Sequence, residues 1–332
     1  MYLAKFPRVE LATLPTALQP APRFSKALGG KVNIWIKRDD NSGLTLGGNK
    51  ARKLEFLLAD ALRQGCDTLI TTGGPQSNHC RMTAGAAAKV GMQCHLVFSS
   101  SSFDLRQGNL LVDELLGAQL HWCDPAEVDD INKEMSKLAN ELQAQGRRPY
   151  IIPLGGSNSL GAMGYVYAVR EFLQQADALG LQFASFVHAS GSGGTQAGLL
   201  AGTLLNHLQT DVIGVSVSRP RENLEPRVGK ICKLVLSLLN YELDPTEYVH
   251  VLDEFVGGGY GIPTPESKEA LQLLAQTEGL IIDPVYTAKA VAGLIHEVRA
   301  GRWAEGSNVL FWHTGGSPAL FADSIFWGGA GI

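Results

Sequence analysis

Hydrophobic and polar positions fall into two alternating patterns along the chain. Short β-branched apolar runs predict strands. The longer stretches between them, with apolar residues recurring every three or four positions, predict helices. Strands are expected at 32–39 (VNIWIKRD), 67–73, 93–99, 118–123 and 149–154, with helices over 49–64, 77–91, 105–116 and 126–145. Gly91 closes the second of these helices. A second series follows, with a helix at 159–178, a strand at 185–190, a helix running to 207 and a strand at 211–218. Helices at 222–240, 265–279 and 287–299 then lead to a strand at 308–316. Strand–helix alternation of this kind builds parallel sheets covered by helices, so the expected fold class is α/β with two units. Four glycines within 155–164 mark a hinge between them. Residues 1–24 alternate hydrophobic residues with prolines, and the closing WGGAGI reads as a tail.

Composition narrows the class. Hydrophobic residues make up 45% and charged residues 18%, which is globular rather than disordered. A net charge of −4 argues against nucleic acid and against a basic membrane-binding surface. The five cysteines are scattered without a C-x-x-C pair, which argues against a disulfide framework or zinc site and for a reducing compartment. No run approaches about 18 uninterrupted apolar residues, so a soluble cytoplasmic protein is expected.

Ligands of open α/β sheets bind at the carboxyl ends of strands. Here those ends carry TTGGPQSNH, GGSNSLG, ASGSGGTQAG and HTGGSPA. In the third, a strand runs through Ser190 into Gly191, Ser192, Gly193, Gly194 and Thr195, and a helix follows. Glycines let the backbone approach a ligand, and a helix start offers free N–H groups to an anion. The stretch fits a phosphate cradle, or a tight turn that needs small residues. It lacks the lysine of a P-loop and the spacing of a dinucleotide fingerprint. Gln76, Ser77, Asn78 and His79 gather where another helix opens, as a substrate loop or as ordinary capping.

Lys50 poses a separate question. In LGGNKARKLEFLLADAL (46–62) it opens a helix, where the dipole already carries partial positive charge. Either it is a solvated lysine, or dipole and burial disfavour its ammonium and leave a neutral amine able to form a Schiff base. A phosphate cradle with such a lysine, and no metal-ligand cluster, points to pyridoxal phosphate.

Several stretches carry a resemblance: IKRDDNSGLTLGGNKARKLEFLLADAL, QSNHCRMTAGAAAKVGM, PYIIPLGGSNSLGAMGYV, ASGSGGTQAGL, GYGIPT, EGLIIDPVYTAKAVAGLI and HTGGSPALF. Together they resemble the D-cysteine desulfhydrase and 1-aminocyclopropane-1-carboxylate deaminase family, over residues 5–323 and in the same order. The family consists of pyridoxal-phosphate enzymes of fold type II, the tryptophan-synthase-β type. The resemblance implies two open twisted parallel-sheet α/β domains with the cofactor in the cleft between them. The large, cofactor-binding domain would be 1–48 with 162–332, and the small one 49–161. A homodimer acting on a small amino acid is also implied.

Residue by residue, the resemblance makes Lys50 the lysine that holds the cofactor and Asn78 a partner of its 3′-oxygen. Ser77 falls next to the substrate carboxylate, with Gln76, His79 and Gly156 around the substrate. Gly191, Ser192, Gly193, Gly194 and Thr195 match the phosphate loop. Tyr286 and Tyr260 match two active-site tyrosines, and Thr314 lies where the pyridine nitrogen is expected. The deaminases carry Glu and Leu where this chain has Thr287 and Thr314, and the desulfhydrases carry threonine at both. Elimination of sulfide from D-cysteine is therefore the expected activity. L-cysteate sulfo-lyase, cyclopropane-acid deaminase and a non-catalytic cofactor-binding protein are the alternatives. Pro75 departs from the residue usual before QSNH.

Overall fold

The computed structural model describes residues 6–100, 106–124 and 130–322. The chain opens with β1 (Leu18–Pro20), α1 (Pro22–Ala27) and β2 (Asn33–Arg38). The next series is α2 (Lys50–Arg63), β3 (Thr68–Gly73), α3 (Asn78–Val90), β4 (Gln93–Ser99), α4 (Gly108–Leu115), β5 (Gln119–Cys123), α5 (Ile131–Ala144) and β6 (Pro149–Ile151). Then come α6 (Ser159–Leu179), β7 (Ser185–Ser190), α7 (Gly194–Leu205), β8 (Asp211–Ser216) and α8 (Arg221–Leu238). The last are β9 (His250–Leu252), α9 (Pro265–Glu278), α10 (Thr287–Arg299) and β10 (Asn308–His313).

These strands form two sheets. One has six strands in the order β1-β2-β10-β7-β8-β9, and the other has four in the order β5-β4-β3-β6. Every pairing is parallel except β1 with β2, so the parallel sheet read from the sequence carries one antiparallel edge. Apolar cores cover both faces of each sheet. The six-stranded sheet packs against α6, α7 and α8 on one side and against α1, α9 and α10 on the other. The four-stranded sheet lies between α2, α3 and α4 on one side and α5 on the other. Such two-sided burial explains the near-continuous apolar runs of the central strands.

The strands and helices expected from periodicity are present, with shifted ends. β6 stops at Ile151, because Pro153 and the left-handed Gly155 (φ 66°) and Gly156 (φ 58°) turn the chain away. α4 begins at Gly108, and residue 105 of the expected helix lies outside the described residues. α5 begins after Asp130, whose side chain accepts from the Asn132 N–H, and 126–129 also lie outside. So does WGGAGI. No helix among the described residues is long and apolar enough to cross a membrane.

A buried polar network joins the two sheets' helices. Arg52 of α2 donates to both oxygens of Asp39, at 2.8 and 2.9 Å, and to Glu171 of α6 at 2.9 Å. Asp39 also accepts from the Tyr165 hydroxyl at 2.6 Å and from the Trp312 indole at 2.8 Å. Burial alone would raise the Asp39 carboxyl, but Arg52, Lys37 and Tyr165 together hold it at about 2.

Candidate active site

The carboxyl ends of β3, β7, β8 and β10 converge on one cavity of about 370 Å³. Asn49, Lys50, Ser77, Asn78, His79, Gly191, Ser192, Gly193, Thr195, Tyr260, Tyr286 and Thr314 all line it. Residues up to 265 positions apart in the chain (49 to 314) therefore meet, which no local pattern encodes.

Lys50 is the first residue of α2, with Asn49 as cap. Its amine lies 3.0 Å from the Asn49 side-chain oxygen. Burial pulls the amine down to about 8, opposed only in part by the carboxylate of Asp283. The Asn49 amide nitrogen donates to the Thr195 hydroxyl at 2.9 Å, so the lysine's neighbour is tied to the glycine loop. The 44–48 loop that presents Lys50 is strained: Thr45 and Leu46 hold φ of 40° and 68° without being glycine. Arg81 of α3 clamps that loop by donating to the carbonyls of Thr45 and, at 3.0 Å, of Gly47.

The glycine loop after β7 turns at Gly193 (φ 84°), and α7 starts at Gly194. A side chain on Gly194 would begin 2.6 Å from both the Lys53 amine and the Ser157 hydroxyl. Lys53 is a residue that sequence reasoning passed over. It is fully buried, and its amine donates to the Gly155 carbonyl at 2.5 Å and the Ser157 hydroxyl at 2.8 Å. Ser157 in turn meets Ser192 at 2.7 Å. Arg227 supports the loop from outside, donating to the Ser192 carbonyl at 2.8 Å. Backbone N–H groups at the start of α7 and the hydroxyls of Ser192 and Thr195, with the buried Lys53 amine and the Arg227 guanidinium behind them, form a cradle suited to a phosphate. With the Lys50 amine in the same cavity, the residues present fit pyridoxal phosphate.

Ser77 caps α3 by accepting from the Cys80 N–H at 3.2 Å, and Asn78 accepts from the Asn109 amide at 3.0 Å. Pro75 is the second residue of the turn closed by the Ser77 N–H on the Gly74 carbonyl, where its fixed φ belongs. His79 is buried with its Nε2 2.9 Å from the Thr71 hydroxyl, and burial with Lys50 and Lys53 nearby drives it well below the usual histidine range. It is a neutral imidazole. Tyr260 and Tyr286 meet hydroxyl to hydroxyl at 2.6 Å. Burial lifts Tyr260 to about 12 and Tyr286 well above its usual value, so both stay protonated.

Three expected site residues stand off the cavity wall. Gln76 spends its amide on the Gln107 carbonyl (3.0 Å) and the Asn109 N–H (2.8 Å). Gly156 lies behind Gly155, which lines the cavity, and Gly194 gives its N–H to Ser157 at 3.2 Å. Thr287 likewise does not face the cavity. Its hydroxyl donates to Asp283 at 2.6 Å and accepts the Asp283 N–H at 2.7 Å, closing the first turn of α10. The two threonines that separate this chain from the deaminases are therefore divided: Thr314 is in the wall, and Thr287 holds Asp283. Arg219 is a further wall residue not singled out from the sequence, and its guanidinium has no acceptor among the described residues.

Cys80 lies one turn behind Ser77, fully buried, and burial pushes its thiol well up. The other four thiols are free as well, and burial raises each of them, Cys232 to about 12.

Known proteins are similar to this chain over nearly its whole length. The chain is 47% identical over 329 residues to a D-cysteine desulfhydrase of Salmonella choleraesuis (strain SC-B67), with 97% of both chains covered. It is 46% identical, at the same coverage, to a D-cysteine desulfhydrase of Salmonella paratyphi C (strain RKS4594). A crystal structure of an ACC deaminase homologue superposes with a TM-score of 0.88 at 38% identity, covering 96% of this chain and 94% of that one. The family described as pyridoxal-phosphate dependent enzyme matches residues 9–315, a span that holds the glycine loop, Lys50, both tyrosines and Thr314. A lysine and a phosphate cradle sharing one cavity are what such an enzyme requires, and this chain belongs to the pyridoxal-phosphate-dependent enzyme family.

Proposed function

We propose that the chain eliminates sulfide from D-cysteine, giving pyruvate, ammonia and hydrogen sulfide. The observation that carries this reading is the similarity, over 97% of the chain, to D-cysteine desulfhydrases. Thr314 in the cavity wall supports it, since the resemblance places threonine there in desulfhydrases and leucine in the deaminases.

Pyridoxal phosphate, when bound, supplies an electron sink for charge developing at a substrate Cα. The chain's own residues do the rest. Ser192, Gly193 and Thr195 would hold the phosphate, with Gly191 leaving room for it. Lys50 would hold the cofactor through its amine and, once released, take the Cα proton. Its depressed basicity suits both tasks near neutral pH. Asn78 would bond the ring oxygen, Thr314 would face the ring nitrogen, and Ser77 would orient the substrate carboxylate. Tyr286, kept protonated and paired with Tyr260, would give a proton to the departing sulfur. His79, Gln76, Gly156 and Gly194 would act behind these groups, shaping the loops that carry them.

One observation favours a second substrate. Arg219 lines the cavity with a guanidinium that has no acceptor among the described residues, which suits an amino acid with a second anionic group such as L-cysteate. The test is keto-acid release by the purified holoenzyme from D-cysteine, L-cysteine, L-cysteate, D-serine and 1-aminocyclopropane-1-carboxylate. Pyruvate forms fastest from D-cysteine. Faster 2-oxobutyrate from the cyclopropane acid, or activity on L-cysteate alone, defeats the reading.

We further propose a large domain of 1–48 with 162–332 and a small one of 49–161, supported by a four-stranded sheet drawn wholly from residues 68–151. Five free cysteines support a reducing, cytoplasmic setting, and the family resemblance supports a homodimer.

A further inference from the structure

Lys289 sits in the first turn of α10, three residues after Tyr286, and is fully buried. A cation there opposes the helix dipole. No acidic side chain among the described residues pairs with it, and burial lowers its amine to about 8. Its amine donates to two backbone carbonyls, Val256 at 2.7 Å and Gly259 at 2.8 Å. Those two carbonyls close two consecutive turns. The Gly259 N–H reaches the Val256 carbonyl at 3.4 Å, and the Ile262 N–H reaches the Gly259 carbonyl at 3.3 Å. Both turn bonds are long. Gly257, Gly259 and Gly261 add φ of 62°, 135° and 76°, so this backbone does little to hold its own shape.

Tyr260 is the second residue of the second turn. Its ring lies across the cavity toward the β3–α3 loop, 3.9 Å from where a side chain on Gly74 would begin. Its hydroxyl meets that of Tyr286, which caps α10. Both tyrosines are thus fixed to one helix, Tyr286 directly and Tyr260 through the Lys289 amine. Lys289 itself does not line the cavity.

We propose that Lys289 is a positioning residue for Tyr260: it latches the 256–262 loop onto α10 and thereby sets the Tyr260–Tyr286 contact. Only the kinetic arm of the test rests on the proposed reaction. The test compares holoenzyme carrying Lys289→Met, Lys289→Arg, Tyr260→Phe, or Lys289→Met with Tyr260→Phe. In Lys289→Met, amide hydrogen exchange across 257–262 rises about tenfold or more, as expected for losing a charged hydrogen-bond donor. Exchange in the body of α10 stays unchanged, and Lys289→Arg restores most of the protection. Turnover of D-cysteine falls chiefly in kcat, and the combined variant is no slower than its slower parent, because both changes remove the same contact. Unchanged exchange across 257–262, or losses that multiply in the combined variant, overturns the proposal. If wild-type enzyme leaves D-cysteine untouched, the functional reading fails and the exchange comparison still decides the latch. Lys289→Gln, which keeps a donor of shorter reach, replaces Lys289→Met under the same criteria if the latter does not fold.

Discussion

Lys50 shows what a single side chain's surroundings accomplish. Its amine is buried beside Asn49 and drawn down to about 8, with Asp283 as the opposing charge among the described residues. Below that pH the group is an ammonium and a poor nucleophile; above it the free amine predominates. Capture of pyridoxal phosphate by cofactor-free protein, followed by visible absorbance, therefore accelerates as pH rises through about 8. Lys50→Ala abolishes the absorbance and any borohydride-fixed cofactor on that peptide. Lys53, the nearest alternative, is engaged with Gly155 and Ser157, so a cofactor fixed to Lys53 in the variant would refute the assignment. The glycine loop gives a second test at this scale. A methyl on Gly194 collides with the Lys53 amine and the Ser157 hydroxyl behind the cradle, not with the core of either sheet. Gly194→Ala should raise the dissociation constant for pyridoxal phosphate about tenfold or more, the loss of roughly one charge-assisted hydrogen bond. Its thermal midpoint without cofactor should move by only a few degrees. An unchanged affinity in a folded variant would reduce the loop to a tight turn.

At the scale of elements, much of the architecture was legible and the gaps have physical causes. Helices α3, α6 and α9 end on left-handed Gly91, Gly180 and Gly279, and a glycine after an apolar periodic run is a readable stop. The strands buried on both faces announce themselves as apolar runs. β1 and β9, three residues each, are too short to show a period, and β1 lies among prolines at an antiparallel edge. The candidate site was legible where glycine and capping residues mark a strand end, as at Ser77, Asn78 and 191–195. It was not legible where a side chain's partner lies far along the chain. Nothing local shows that Gln76 turns to Gln107 and Asn109, that Thr287 turns back on Asp283, or that Lys53 reaches Gly155. Arg219 escaped notice because no motif surrounds it, and Lys289, although it lies within DPVYTAKA, because its partners Val256 and Gly259 lie some thirty residues back.

At the scale of the whole molecule, the joint around Arg52 is the part on which both sheets depend. It ties α2 to Asp39 at the end of β2 and to Glu171 on α6, and Tyr165 and Trp312 complete the bonds to Asp39. Arg52→Met takes the two-pronged partner from the buried Asp39 carboxylate, leaves Glu171 to Lys37 alone, and costs about 3–5 kcal/mol in denaturant-induced unfolding. A loss within about 0.5 kcal/mol would show the network to be dispensable. Burial also raises the five thiols, most of all Cys80, Cys94 and Cys232 inside the cores, and less so the half-buried Cys66 and Cys123. Sulfur exchange with polysulfides or disulfides proceeds through thiolates, which the side chains inside the cores rarely become. On the proposed reaction the protein spends its working life in the sulfide it makes. The three core thiols are chemically mute in that medium, and any sulfur that a long-used preparation takes up sits on Cys66 or Cys123.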